Sequence, residues 1–264
     1  MSKCRSCEQP LVITLDPESF DEATSSLVGQ GQGTTEPDDL LLRCGCHFHW
    51  QCLLDESPQI ALDLACPYCQ NTIVSTASGP SATNSVLPQA SSQPQIITRY
   101  HNEGGIQENL DILPLITEEA YLDANPAARP ARAFMTMCGE GDVAGVVELL
   151  KALEEEPDEG DMSPSELLRF QDPLDGMKTG LHVALERSQQ EAVWLLLWLA
   201  SSLPNHAFPD EVAQAAESLE AGRETAAGVD IRDLKDEQGR VGEDVAKAMG
   251  NEWGGLLTAG ILRV

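Results

Sequence analysis

The chain predicts two dissimilar parts: a small metal-bound α+β module at the N-terminal end, followed by an all-α domain of helical repeats. Three observations carry this expectation. Seven of the eight cysteines, with His49, fall in four close pairs within the first 69 residues. Residues 75–95 (STASGPSATNSVLPQASSQPQ) are uncharged and rich in Ser, Pro, Ala and Gln, a composition that buries too little apolar surface to order itself. Beyond residue 99 helix-type periodicity dominates and no long strand alternation is visible. The expected organisation is therefore a metal module over 1–74, a flexible linker over 75–98 and a helical domain over 99–264.

Composition narrows the function. The 264 residues carry a net charge of −27, and both parts share it: 3 Lys+Arg against 11 Asp+Glu up to residue 98, and 13 against 32 beyond it. A phosphate backbone or an anionic bilayer would be repelled, so no nucleic acid and no membrane is expected as a partner. The longest apolar run, 192–200 (AVWLLLWLA), is shorter than the ~18 residues of a membrane span. The start, MSKCRSC, has no apolar signal core. A cytoplasmic or nuclear location is expected, where thiols stay reduced and paired cysteines read as metal ligands rather than disulfides.

The four pairs are Cys4-x2-Cys7, Cys44-x-Cys46, His49-x2-Cys52 and Cys66-x2-Cys69, with 36 residues after the first pair and 13 before the last. A structural zinc takes four thiolate or imidazole ligands in a closed tetrahedron, and a close pair bends the chain so that two donors reach one ion. Eight such donors suit two Zn2+ ions, and scattered buried cysteines would not fall into matching pairs. His47 is a rival ligand, but with Cys46 beside it His47 is read as a bystander.

The block Cys44-Gly45-Cys46-His47-Phe48-His49-Trp50-Gln51-Cys52 and the ending Cys66-Pro67-Tyr68-Cys69 resemble a RING-type zinc finger over about a quarter of the chain. The resemblance implies an interleaved arrangement, with Cys4, Cys7, His49 and Cys52 on one zinc and Cys44, Cys46, Cys66 and Cys69 on the other. Cys46 stands where many RING fingers have His. Leu40, Leu41, Leu42, Phe48, Leu53, Leu54, Ile60, Leu62 and Leu64 are expected to fill the small core, and residues 50–56 to form a short helix.

RING fingers mostly act as ubiquitin-protein ligases. The resemblance implies two structural zincs, no catalytic side chain, and an apolar groove that recruits a ubiquitin-conjugating enzyme and holds its thioester in a reactive geometry. Pro67 matches the groove proline of the family, and Ile60, Leu62 or Leu64 would stand in for its usual aromatic. Ser6 replaces the aliphatic residue expected before the second ligand, and Gln70 replaces the basic residue expected after the last.

In the helical part, apolar periodicity predicts helices over 142–153, 186–200, 210–221 and 242–249. Residues 131–150, 175–199 and 236–260 resemble ankyrin repeats, most clearly at Thr179-Gly180-Leu181-His182-Val183-Ala184, with insertions at about 154–172 and 201–228. Such stacks present an exposed face to a protein substrate. His182 is read as a structural hydrogen-bonding residue, Trp194 and Trp198 as core, and Cys138 as an inert buried thiol. The acidic run 154–161 and the stretch 16–39 are read as solvated loops. Together these readings point to a RING-type ubiquitin ligase with an ankyrin-like substrate-binding half. The alternatives are a non-enzymatic zinc-dependent scaffold and a PHD-like histone reader. The last has the same ligand order but usually a longer gap before its histidine.

Overall fold

The computed structural model describes residues 2–14, 35–75, 94–155, 162–223 and 228–264. The chain divides into two compact units, residues 1–124 and 125–264. This boundary differs from the expected one. Residues 76–93 of the expected linker lie outside the described residues, as do 16–34 and 156–161 of the two expected loops. The linker's last residues belong to the first unit: Ser75 and Gln95 exchange backbone hydrogen bonds of 2.8 and 2.9 Å, and Ile96 is fully buried.

The first unit runs β1 (Val12–Thr14), β2 (Thr35–Pro37), β3 (Asp39–Leu41), β4 (His47–Phe48), α1 (Trp50–Leu54), α2 (Ser57–Asp63), β5 (Ile97–Asn102), β6 (Gly105–Asp111) and α3 (Leu113–Ala124). Strands β1 and β2 pair with each other, and the other four form an antiparallel sheet in the order β4-β3-β5-β6. The β5–β6 hairpin corrects the expectation that everything past residue 99 is helical. Its strands, ITRYHN and GIQENLD, are short and polar, and a bulge at Asn109 (φ 58°) breaks their alternation. The usable signal was Asn102-Glu103-Gly104-Gly105, a turn sequence between β-branched and aromatic residues.

The hairpin is part of the core of the first unit. Its Leu110, with Ile96 before it, Ile112 after it and Ile116 of α3, joins Leu40, Leu42, Phe48, Leu53, Ile60 and Ile73 in one buried cluster. Asp38 ties the layers together, accepting from the Trp50 backbone N–H and the Tyr100 hydroxyl at 3.0 Å each. The rings of Trp50 and Tyr100 lie 4.8 Å apart.

The second unit is largely helical: α4 (Arg129–Glu140), α5 (Val143–Glu155), α6 (Pro164–Leu168), α7 (Gly180–Glu186), α8 (Gln190–Ala200), α9 (Asp210–Ser218), α10 (Gly242–Ala248) and α11 (Gly254–Thr258). Gly141, in the left-handed region at φ 79°, turns α4 back into α5. The helix expected over 186–200 begins later, at Gln190: Glu186 is the last residue of α7, and Ser188 at φ 60° turns the chain between α7 and α8. Two tight turns precede helix pairs: Asp172 N–H donates to Lys178 O (2.8 Å) before α7, and Asp236 N–H to Arg240 O (2.9 Å) before α10.

These elements bury one core of apolar side chains from α4 to α11, with Phe134, Leu181, Leu185, Leu196 and Trp253 among them. At Gly180 the backbone approaches α4 so closely that a Cβ would lie 2.8 Å from Cys138 Sγ. No helix among the described residues is long and apolar enough to cross a membrane.

Candidate metal centres

Two groups of four donors converge in the first unit: Cys4, Cys7, His49 and Cys52, and Cys44, Cys46, Cys66 and Cys69. Within each group the ligand atoms lie within 4.8 Å of one another. The pairs are therefore combined alternately along the chain, first with third and second with fourth. None of the eight cysteines of the chain forms a disulfide.

The first and last pairs sit on turns of the same design. Cys4 N–H donates to Gln9 O (3.0 Å) and Glu8 N–H to Cys4 O (3.0 Å). Sixty-two positions on, Cys66 N–H donates to Asn71 O (2.9 Å) and Gln70 N–H to Cys66 O (2.9 Å). The residue after each pair, Glu8 at φ 61° and Gln70 at φ 60°, is left-handed and closes the turn. Such a turn points both sulfurs to one side. The shorter Cys44-x-Cys46 pair bends instead at Gly45, where φ is 82°.

His49 supplies its Nδ1, 3.2 Å from Cys7 Sγ and 3.7 Å from Cys52 Sγ. Its Nε2 lies 2.8 Å from Pro10 O. A proton on Nε2 donates to that carbonyl and leaves the Nδ1 lone pair for a cation, the outer hydrogen bond typical of a metal-ligating imidazole. The His49 backbone N–H points to Cys4 Sγ at 3.4 Å.

The thiols in each group are pushed apart in acidity. Burial raises Cys4, but the backbone amides of Cys7, His49 and Ser6 outweigh it and bring the thiol down to about 7. The Asn71 amide does the same for Cys69, to about 7. Burial and the neighbouring sulfurs of Cys7 and Cys4 push Cys52 up to about 12. Burial likewise raises Cys44 and Cys46. Neighbouring thiolates resist joint ionisation in the absence of a cation, and a divalent ion removes that resistance. Thiolate-rich, four-donor sets with an imidazole in one of them fit a tetrahedral soft-ligand ion, and are compatible with zinc.

His47 joins neither group. Its Nδ1 pairs with Asp39 Oδ1 at 2.6 Å. The expected groove residues separate. Ile60 is fully buried in the core, against the expectation that it lines an open groove. It shares that core with Ile112 and Ile116, from a segment the sequence reading assigned to another domain. Leu62 is 81% exposed, against its expected place in the core. Leu64 ends α2 in a left-handed turn (φ 51°) and is half-buried, as is Pro67. Tyr68, which the sequence reading did not single out, is 56% exposed beneath the Arg5 guanidinium, 4.9 Å from its ring centroid.

In the second unit His182 is fully buried. Its Nδ1 lies 2.7 Å from Thr179 Oγ1 and its Nε2 3.0 Å from Arg240 O. The ring thus caps α7 and ties it to the turn before α10. Burial holds its pKa below the ordinary value, so the neutral ring is the structural form. Cys138 is fully buried, and burial raises its thiol, which leaves it no reactive thiolate.

No protein-family model matches the chain, and no curated protein or solved structure does either.

Proposed function

We propose that the chain is a RING-type E3 ubiquitin-protein ligase. The first unit would hold two structural Zn2+ ions and recruit a ubiquitin-conjugating enzyme. The helical unit, read as ankyrin-like, would hold a protein substrate. The observation that carries the reading is the alternate combination of the four donor pairs, first with third and second with fourth. That cross-brace is the arrangement the RING resemblance implies. The zincs would supply folding free energy, on the order of 10 kcal/mol each, and no chemistry.

The work of such a ligase is positioning. The thioester carrier docks on an apolar face, and its reactive geometry does the rest. Leu62 and Tyr68 are the large exposed apolar residues closest in sequence to the second ligand group, with Pro67 between them. They support a docking face there. Ile60 does not contribute to it. The turn-and-helix-pair design before α7 and α10 supports the repeat reading of the second unit.

A non-enzymatic scaffold is the second reading. It is favoured by Ser6 and Gln70. The Gln70 side chain donates to Pro67 O at 3.0 Å rather than presenting a cation. The two readings separate in one assay. Purified chain is incubated with activating enzyme, a panel of conjugating enzymes, ubiquitin and ATP, and its zinc content is measured in parallel. Ubiquitin chains with at least one conjugating enzyme are expected. Two zincs per chain with no ubiquitin transfer from any of them would leave the scaffold.

A further inference from the structure

We propose that the α8–α9 face of the second unit is a docking groove for a basic amphipathic helix of a partner protein. This deepens the substrate-binding half of the function proposed above. Helix α8 contributes Glu191, Trp194 and Trp198 to a recess of about 250 Å³, and α9 contributes Glu211, Val212 and Ala216, with Leu219 just past its end. These positions repeat at helical spacing, so one continuous stripe of each helix faces the trough. A second recess of about 390 Å³, between α8 and residues 252–261, has Trp194 and Glu252 in its lining.

The shape selects the kind of ligand. An apolar trough between two helices suits the side chains of a docked helix, the groove-binding mode in which residues one turn apart serve as anchors. The floor is already rigid. Trp198 donates to Ala221 O at 3.2 Å, packs edge-on against Phe208 at 5.1 Å, and lies under the Arg223 guanidinium. Arg223 is held in turn by the carbonyls of Ser201 and Leu203. Large aromatics fixed before binding are the residues that anchor interfaces at little entropic cost.

The charge selects the partner. Glu191 and Glu211 are exposed at the groove. The unit around them holds 12 Lys+Arg against 26 Asp+Glu from residue 125 to 264. An acidic helix would be repelled. One with an apolar stripe flanked by Lys or Arg would meet complementary charge while burying the tryptophans.

The test uses the full chain and a fluorescein-labelled synthetic peptide of ~18 residues, about five helical turns. The peptide carries Leu on one face and Lys on the others. A scrambled peptide and one with Glu in place of Lys are the controls. Fluorescence anisotropy should report saturable binding of the patterned Lys peptide alone. The E191K/E211K variant should weaken it at least about tenfold. E217K, on α9 but outside the recess, should leave it unchanged, with the same thermal transition in all three proteins. Equal binding of the scrambled peptide, or unchanged affinity in E191K/E211K, would overturn the proposal. So would a self-associated chain that E191K/E211K converts to monomer, since the groove would then belong to a second copy. Ubiquitin takes no part in the measurement, so its failure and that of the ligase assay are distinguishable.

Discussion

Replacing His182 with Ala should cost the second unit about 2–5 kcal/mol of stability. The figure follows from what the ring touches. Its Nε2–H donates to Arg240 O at 3.0 Å; truncation removes that bond, worth about 0.5–1.5 kcal/mol, while the carbonyl keeps the Asp236 N–H at 2.9 Å. Its Nδ1 accepts from Thr179, whose own side chain accepts from the His182 backbone N–H at 3.4 Å, so the start of α7 also loses half of a reciprocal cap, worth about 0.5–2 kcal/mol. The void left by the ring adds to both.

The pH dependence gives an independent readout. Burial depresses the folded-state pKa of His182, so the unfolded chain takes up the proton first. Its contribution is complete above the unfolded value of about 6.5 and is lost as pH falls through the folded value. Urea denaturation at several pH values, followed by far-ultraviolet circular dichroism, measures both effects. The wild type should lose stability faster than His182→Ala as pH drops below about 6.5. A loss under ~1 kcal/mol, or parallel pH profiles for the two proteins, would refute the assignment of the ring as a neutral bridge between α7 and the following turn.

Two further outcomes are expected of the first unit. Cys66→Ser should remove at least one metal equivalent and, with it, on the order of 10 kcal/mol of folding free energy; retention of two zincs by mass spectrometry would contradict the donor grouping. A fragment of residues 1–74 should bind zinc more weakly than one of residues 1–124. Without β5, β6 and α3 the sheet loses a partner of β3, and Ile60 loses the cover of Ile112 and Ile116. Equal affinities by chelator competition would show that the hairpin and α3 are dispensable.

The metal donors were legible because close-pair chelation is local. Two residues between ligands suffice to define a turn, and the Cys4 and Cys66 turns share their hydrogen bonds and their left-handed closing residue. The cap at Thr179 and His182 was legible for the same reason, since its partners are three residues apart. Helix positions followed from apolar spacing, although the break at Ser188 did not, because a serine in the left-handed region leaves no mark on periodicity.

The sequence by itself determined which residues could chelate, in which pairs, and that a helical unit follows them. Only the tertiary structure decided that the pairs alternate between two centres, that residues 95–124 complete the first unit, and that Ile60 is core while Leu62 is surface. Those decisions depend on contacts between distant segments. Leu40 meets Tyr100 across a strand pair, and His49 meets Cys7 across the intervening loop. Short, polar strands take their stability from such partners, so ITRYHN and the turn after it could signal a hairpin but not the sheet with β3 and β4 that β5 enters.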